Sequence, residues 1–364
     1  MIKLAPNTNR GGAVDTSAYS FAATENIRRL HETLAAYNVT PLVELKNFAA
    51  EKNIRALYVK DESQRFGLKS FKALGGVWAM HHILSKNPRE KIFITTTDGN
   101  HGKGVSWAAG LFGCKAFVYM PRGTVEVRAQ AIRDAGTAEV QITDMTYDDC
   151  VKYTARLAAK NHWHLIQDTS WDGYEEIPAQ IMLGYTTLAY EALRQMNYQR
   201  PTHVFLQAGV GSMAGAVAAV FAENFKDNPP RVTIVEPTEV ACFYETMRIG
   251  DGKIHSATGN GKTMMAGLNC ATPCELAWKI LRRFAADTAT ISDDVAADAM
   301  RVLAAQKIIS GESGCAGFAL ANAALNDAEL RRALDIDEQS IIFVINTEGD
   351  TDPDNYEKQL IPYP

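Results

Sequence analysis

Residues 68–76 read LKSFKALGG, with a lysine inside an apolar stretch and two adjacent glycines behind it. Glycine costs a helix about 1 kcal/mol relative to alanine, so the pair needs a reason. Ser70 is a good N-cap residue and predicts a helix whose first turn carries Lys72. The partial positive charge at a helix N-terminus disfavours an ammonium by about 0.3–1 kcal/mol. Burial would press the same way, toward a neutral, nucleophilic amine. Gly75 and Gly76 follow three and four residues later, on the same helical face as Lys72. They predict cleared space beside the amine, where a flat aromatic aldehyde held as a Schiff base would fit. Taken alone, the stretch fits a plain surface lysine equally well.

Outward from this lysine, β-branched runs alternate with helical patterns. KIFITTT (91–97), CKAFVYM (114–120), EVQIT (139–143) and HLIQD (164–168) form one series of strand candidates. THVFLQA (202–208), RVTIVE (231–236), TATIS (288–292) and SIIFVIN (340–346) form a second. Helical stretches such as HGKGVSWAAGLFG (101–113) and DDVAADAMRVLAAQK (293–307) separate them. Alternation of this kind implies an α/β fold of two open, mostly parallel sheets covered by helices. A long helix from Pro178 to Met196 separates the two series. The expected division is a large domain of residues 1–74 and 197–364 and a small domain of residues 75–196, with a ligand between them. Ligands of open parallel sheets bind beyond the carboxyl ends of the strands. Those ends carry TTDGNHG, QDTSWDGY (167–174), QAGVGSMAG (207–215), VEP (235–237) and NTEGD (346–350), each polar or glycine-rich.

The 364 residues are 46% apolar, enough for a sizeable core, and the net charge of −5 argues against nucleic-acid binding. No apolar run is long enough to span a bilayer, and the N-terminus lacks the apolar segment of a secretory signal, so the cytoplasm is the expected location. The six cysteines contain no CxxC pair and read as reduced core residues, with a bridge at Cys242 left open. No metal site is expected, because Cys270 and Cys274 lack a second ligand pair. The two histidine clusters, His81–His82 and HWH (162–164), read as packing residues rather than ligands.

GVGSMAG (209–215) follows a strand and opens a small-residue helix. Its glycines let consecutive N–H groups and the helix dipole face a phosphate. The same spacing also suits a dinucleotide, with Glu236 at the end of the next strand as the ribose-binding acid. GNGKT (259–263) lacks the leading glycine and preceding strand of a P-loop. DTDPDN (350–355) is broken by Pro353 as a calcium loop.

SFKALGG, TDGNHG and GVGSMAG, in this order, resemble the fold type II pyridoxal-phosphate enzymes, which include threonine dehydratase, serine racemase and cysteine synthase. The likeness runs from about residue 40 to the end of the chain. It implies that Lys72 carries pyridoxal 5′-phosphate and that Gly209, Val210, Gly211, Ser212 and Met213 cradle its phosphate. It further implies that Asn100 meets the phenolic oxygen and Thr347 the pyridine nitrogen, leaving that nitrogen unprotonated. Where many members place serine before GNHG, this chain has Asp98. With QDTSWDGY and NTEGDTD, that aspartate resembles the diaminopropionate ammonia-lyases. Lys72, Asp98 and Asp168 would then be catalytic, and Thr97, Asp98, Gly99, His101 and Asp168 would face the amino-acid substrate. The implied reaction is α,β-elimination of D- or L-2,3-diaminopropionate to pyruvate and two ammonia, in a homodimer. A carboxylate suits a β-ammonium and disfavours serine or threonine, whose hydroxyl leaves it unpaired. The alternatives are a serine/threonine dehydratase of the same fold, a nicotinamide oxidoreductase using Glu236, and a non-catalytic binding protein on this scaffold.

Overall fold

The computed structural model describes residues 2–361. Strands β1 (Lys3–Pro6), β2 (Leu42–Glu44), β3 (Ala56–Asp61), β8 (His203–Gln207), β9 (Arg231–Pro237), β10 (Ala285–Ile291) and β11 (Ile341–Asn346) form one sheet in the order β1-β10-β9-β8-β11-β3-β2. Strands β4 (Ile92–Thr96), β5 (Lys115–Met120), β6 (Ala138–Ile142) and β7 (His164–Leu165) form the other in the order β6-β5-β4-β7. Both sheets are parallel except at the edges of the larger one, where β1 and β2 run antiparallel to their neighbours. The interior strands β8 and β11 are buried along their whole length, as a sheet covered on both faces requires.

The sequence pattern misses β1, β2 and β3. In β3, ALYVKD, Lys60 is fully buried. Its ammonium lies 2.7 Å from Glu191 Oε2 on the helix Glu176–Gln195. The buried Arg65 donates to both Glu191 (2.7 Å) and Glu62 (2.8 Å), so two cations and two carboxylates close a compensated network. Removing one member leaves buried charge uncompensated, a loss of about 3–5 kcal/mol. Glu191→Ala is therefore expected to lower the denaturant midpoint by that much stability. A shift below about 1 kcal/mol, the size of an exposed ion pair, would contradict the role assigned to this network.

The glycine pair behind Lys72 has a different cause from the one its spacing implies. A side chain at Gly75 would place its Cβ 2.7 Å from Ile181 Cγ2 and Tyr185 Cε1, and one at Gly76 would lie 3.4 Å from Gly104 O. The helix Ala73–Lys86 is thus clamped between Asn100–Leu111 and Glu176–Gln195, with Gly104 and Gly184 meeting it from either side. The glycines permit close helix packing and clear no space beside the amine. The helix also starts two residues later than expected. Lys72 occupies its cap position, and Ser70 Oγ accepts a 3.4 Å hydrogen bond from Lys72 N without capping the helix itself.

Candidate active site

Four strand ends converge on one cleft between the sheets. The segment after β4 brings Asp98, Asn100 and His101, and the segment after β7 brings Asp168. The segment after β8 brings Gly209–Met213, and β11 delivers Thr347. Every residue to which the sequence assigns a catalytic, cofactor or substrate role lines this cleft.

Lys72 Nζ lies 2.5 Å from Asp168 Oδ2. Burial alone would lower the lysine's pKa, but the Asp168 carboxylate outweighs it and holds the amine above the ordinary lysine range. The neutral amine expected from the helix N-terminus is therefore overturned here: a direct ion pair is stronger than a fractional dipole charge. The same pairing acts in reverse on Asp168. Burial pushes its carboxyl up, yet Lys72 and then His101 pull it down to about 2. Asp98 moves the other way. Burial drives it up to about 7, with Arg128 and Lys72 opposing and Asp168 adding repulsion. Two aspartates in one cleft thus have opposite characters, one a permanent anion and one poised to gain or lose a proton near neutrality.

His101 Nε2 lies 2.8 Å from the Ile166 carbonyl, so it donates there and Nδ1 carries the lone pair in the neutral ring. Nδ1 is buried without a hydrogen-bond partner, 3.8 Å from Asp168 Oδ2. Burial keeps the imidazole below its ordinary pKa. Thr97 serves the loop itself, since its Oγ1 accepts from Gly99 N (2.9 Å) and Gly102 N (3.0 Å).

Several cleft residues escape the sequence reading. Tyr147 opens the helix Tyr147–Asn161, and its hydroxyl accepts from Gln167 Nε2 at 3.1 Å. Gln167 is oriented by Thr96 N, which donates to its Oε1 at 3.1 Å, so the tyrosine's own proton is left for the cleft. Burial and then Asp168 hold this phenol neutral. Glu348 accepts from Asn100 Nδ2 and, at 3.0 Å, from Ser313 N, fixing the asparagine that the sequence assigns to the phenolic oxygen. NTEGD contains Glu348, but the resemblance assigns a role only to its threonine. Glu236, the acid of the dinucleotide alternative, is fully buried and accepts from Phe243 N (2.8 Å) and Tyr244 N (2.7 Å) at a helix start. It is engaged in capping and unavailable to a ribose.

The chain fits pyridoxal phosphate on its own geometry. Gly211 caps the helix Ser212–Asn224 with φ +92°, and a Cβ there would lie 2.4 Å from Phe243 Cζ. The cap is bare backbone at a helix N-terminus, whose first N–H groups have no internal acceptor and whose dipole favours a phosphate. Ser212 Oγ donates to Asp168 O at 2.6 Å, tying this loop to the acidic one. Gln207 Nε2, a pure donor, stands 3.1 Å from Thr347 Oγ1, which leaves the threonine's proton for a ring nitrogen. Gly211→Asp adds bulk and negative charge at the phosphate position. It is expected to weaken cofactor binding by at least about tenfold, as one misplaced charge of about 1.4 kcal/mol would do. Titration of the cofactor-free variant with pyridoxal phosphate, followed by absorbance, checks this. Parental affinity would show that the loop does not hold the phosphate.

A lysine, a glycine-lined helix start and a threonine at the carboxyl ends of parallel strands define a pyridoxal-phosphate enzyme of fold type II. Residues 33–348 match the family model described as pyridoxal-phosphate dependent enzyme. The chain is 40% identical to the diaminopropionate ammonia-lyase of Salmonella typhimurium, over 98% of this chain and 97% of that protein. Diaminopropionate ammonia-lyase from Escherichia coli, solved in complex with an aminoacrylate–PLP azomethine reaction intermediate, superposes with a TM-score of 0.93 at 39% identity, covering 99% of this chain and 97% of that one. The same enzyme solved in complex with D-serine gives a TM-score of 0.93 at 38% identity, with the same coverage of both chains. The chain belongs to the diaminopropionate ammonia-lyase family of pyridoxal-phosphate-dependent enzymes. It is a lyase, and its cofactor is pyridoxal 5′-phosphate. Among the described residues no helix is long and apolar enough to cross a membrane.

Proposed function

We propose that this lyase eliminates both amino groups of 2,3-diaminopropionate, as either isomer, to give pyruvate and two ammonia. The observation that carries the proposal is the pair of aspartates, Asp98 after β4 and Asp168 after β7, that face one cleft with Lys72. Bound pyridoxal phosphate supplies a sink for the electron pair left when the α-proton departs. Lys72 holds the cofactor and, once displaced by the substrate's α-amine, takes the α-proton of the L-isomer on its own face. Asp98, on a different strand end, takes the proton that a D-isomer presents to the opposite face. Asp168 holds the β-ammonium and orients it for departure from either isomer. The β C–N bond breaks with its electron pair staying on nitrogen, and the released enamine hydrolyses to pyruvate and the second ammonia.

The loop from Thr97 to His101 lies at the start of the helix Asn100–Leu111, and the α-carboxylate is assigned there. The E. coli relative's complex with D-serine supports entry of a D-configured amino acid into such a site. Discrimination of amine from hydroxyl then falls on turnover, where Asp168 favours a cationic leaving group. A homodimer in the cytoplasm is the proposed assembly and location. The function is tested by comparing kcat/KM for D- and L-diaminopropionate, serine and threonine. Both diaminopropionate isomers should exceed the hydroxy amino acids, and equal or faster dehydration of serine or threonine would overturn the assignment.

A further inference from the structure

Asp98 lines the cleft without a hydrogen-bond donor among the described residues, so its protonation is set by burial, which disfavours the anion, and by the charges around it. They come from several elements: Lys72 ahead of its helix, Asp168 after β7, Tyr147 and Cys150 on the helix Tyr147–Asn161, Cys270 on a loop, and Arg128 on the helix Glu126–Ala135. Only Lys72 and Arg128 are cationic. Lys72 is engaged by Asp168 at 2.5 Å, and an amine that holds the cofactor no longer offers Asp98 its ammonium charge. Arg128 carries the other cation, a guanidinium with five N–H donors.

Its placement is specific. The Arg128 side chain crosses the bare face of Gly99, next to Asp98, with Cδ 3.6 Å from where a Gly99 Cβ would stand. Its Nε is buried and has no hydrogen-bond partner, and its nearest acid is Asp352, with Oδ2 3.9 Å from Nη2. The guanidinium and the Asp98 carboxylate line one cleft, and the buried Nε has no partner that commits it elsewhere.

We propose that Arg128 is a positioning residue for the D-isomer reaction, acting through Asp98 by keeping its carboxylate ionised and therefore able to accept the α-proton. The inference rests on the opposite-face role proposed for Asp98. Arg128 is the strongest of the attractions that oppose burial at Asp98. Without it, the carboxyl would remain protonated to higher pH, and a protonated acid cannot serve as the base. The reaction of the L-isomer, whose proton goes to Lys72, gains nothing from this ionisation.

The test is the pH profile of kcat/KM for each isomer in the holoenzyme, for the parent, Arg128→Gln and Arg128→Lys. In Arg128→Gln the acid limb for the D-isomer should move up by about one pH unit. On the acid side the D-to-L activity ratio then falls about tenfold. The L-isomer limb should stay in place, and Arg128→Lys should restore the D-isomer limb. A second readout needs no turnover: ¹³C-NMR titration of aspartate-labelled protein, with the resonance identified by Asp98→Asn, should show the Asp98 midpoint rise in Arg128→Gln. An unmoved D-isomer limb, or D and L limbs moving together, overturns the inference, as does an unmoved Asp98 midpoint. The outcome is separable from failure of the underlying proposal, which would show as Asp98→Asn losing activity equally on both isomers.

Discussion

Asp98→Asn is expected to lose about 10²–10⁴-fold in kcat/KM on D-diaminopropionate while keeping far more activity on the L-isomer, the range a general base supplies. The substitution preserves size and removes the ability to take a proton. Its selectivity follows from the two-face proposal: Lys72, at the cap of the helix Ala73–Lys86, and Asp98, after β4, line one cleft, so loss of one base should leave the other at work. The pH dependence has a definite sign. Burial raises Asp98 to about 7, so D-isomer activity should be full above that value and fall as the pH drops through it. Asp168, held near 2, stays ionised throughout and adds no limb in this range. An equal loss on both isomers would refute the assignment of two faces.

The second large effect is at Lys72. Lys72→Ala should abolish the visible band of the bound cofactor and cost the L-isomer at least the 10²–10⁴-fold of a lost base. Borohydride reduction of the parent, followed by peptide mapping, should place the pyridoxyl group on Lys72. The amine stands in the cleft itself, 2.5 Å from Asp168, whereas Lys60 is committed to Glu191. A pyridoxyl group on another lysine would contradict the site as described.

Much of this site is legible in local strings. TDGNHG and GVGSMAG each follow a strand and open a helix, and the chemistry of a helix start depends on neighbours in the chain. Other features depend on contacts across the fold, and local reading fails there. Gly75 looks like space made for a ligand, but its reason is Ile181 and Tyr185 on a helix 100 residues away. The charge of Lys72 is set by Asp168, 96 residues on, and overrides the helix dipole beside it. The burial of Lys60 is compensated by Glu191, 131 residues on. Arg128 and Tyr147 sit in helices with no motif of their own and join the cleft only through tertiary packing. Family resemblance supplied the roles of Asp98 and Asp168, and their opposite protonation behaviour became visible only with their surroundings.

The most direct test of the central claim is the ratio of products from each isomer. Holoenzyme given D- or L-2,3-diaminopropionate should form two ammonia for every pyruvate, because the β-amine leaves in the elimination and the α-amine in the hydrolysis that follows. One ammonia per substrate consumed, or no pyruvate from either isomer, would contradict it.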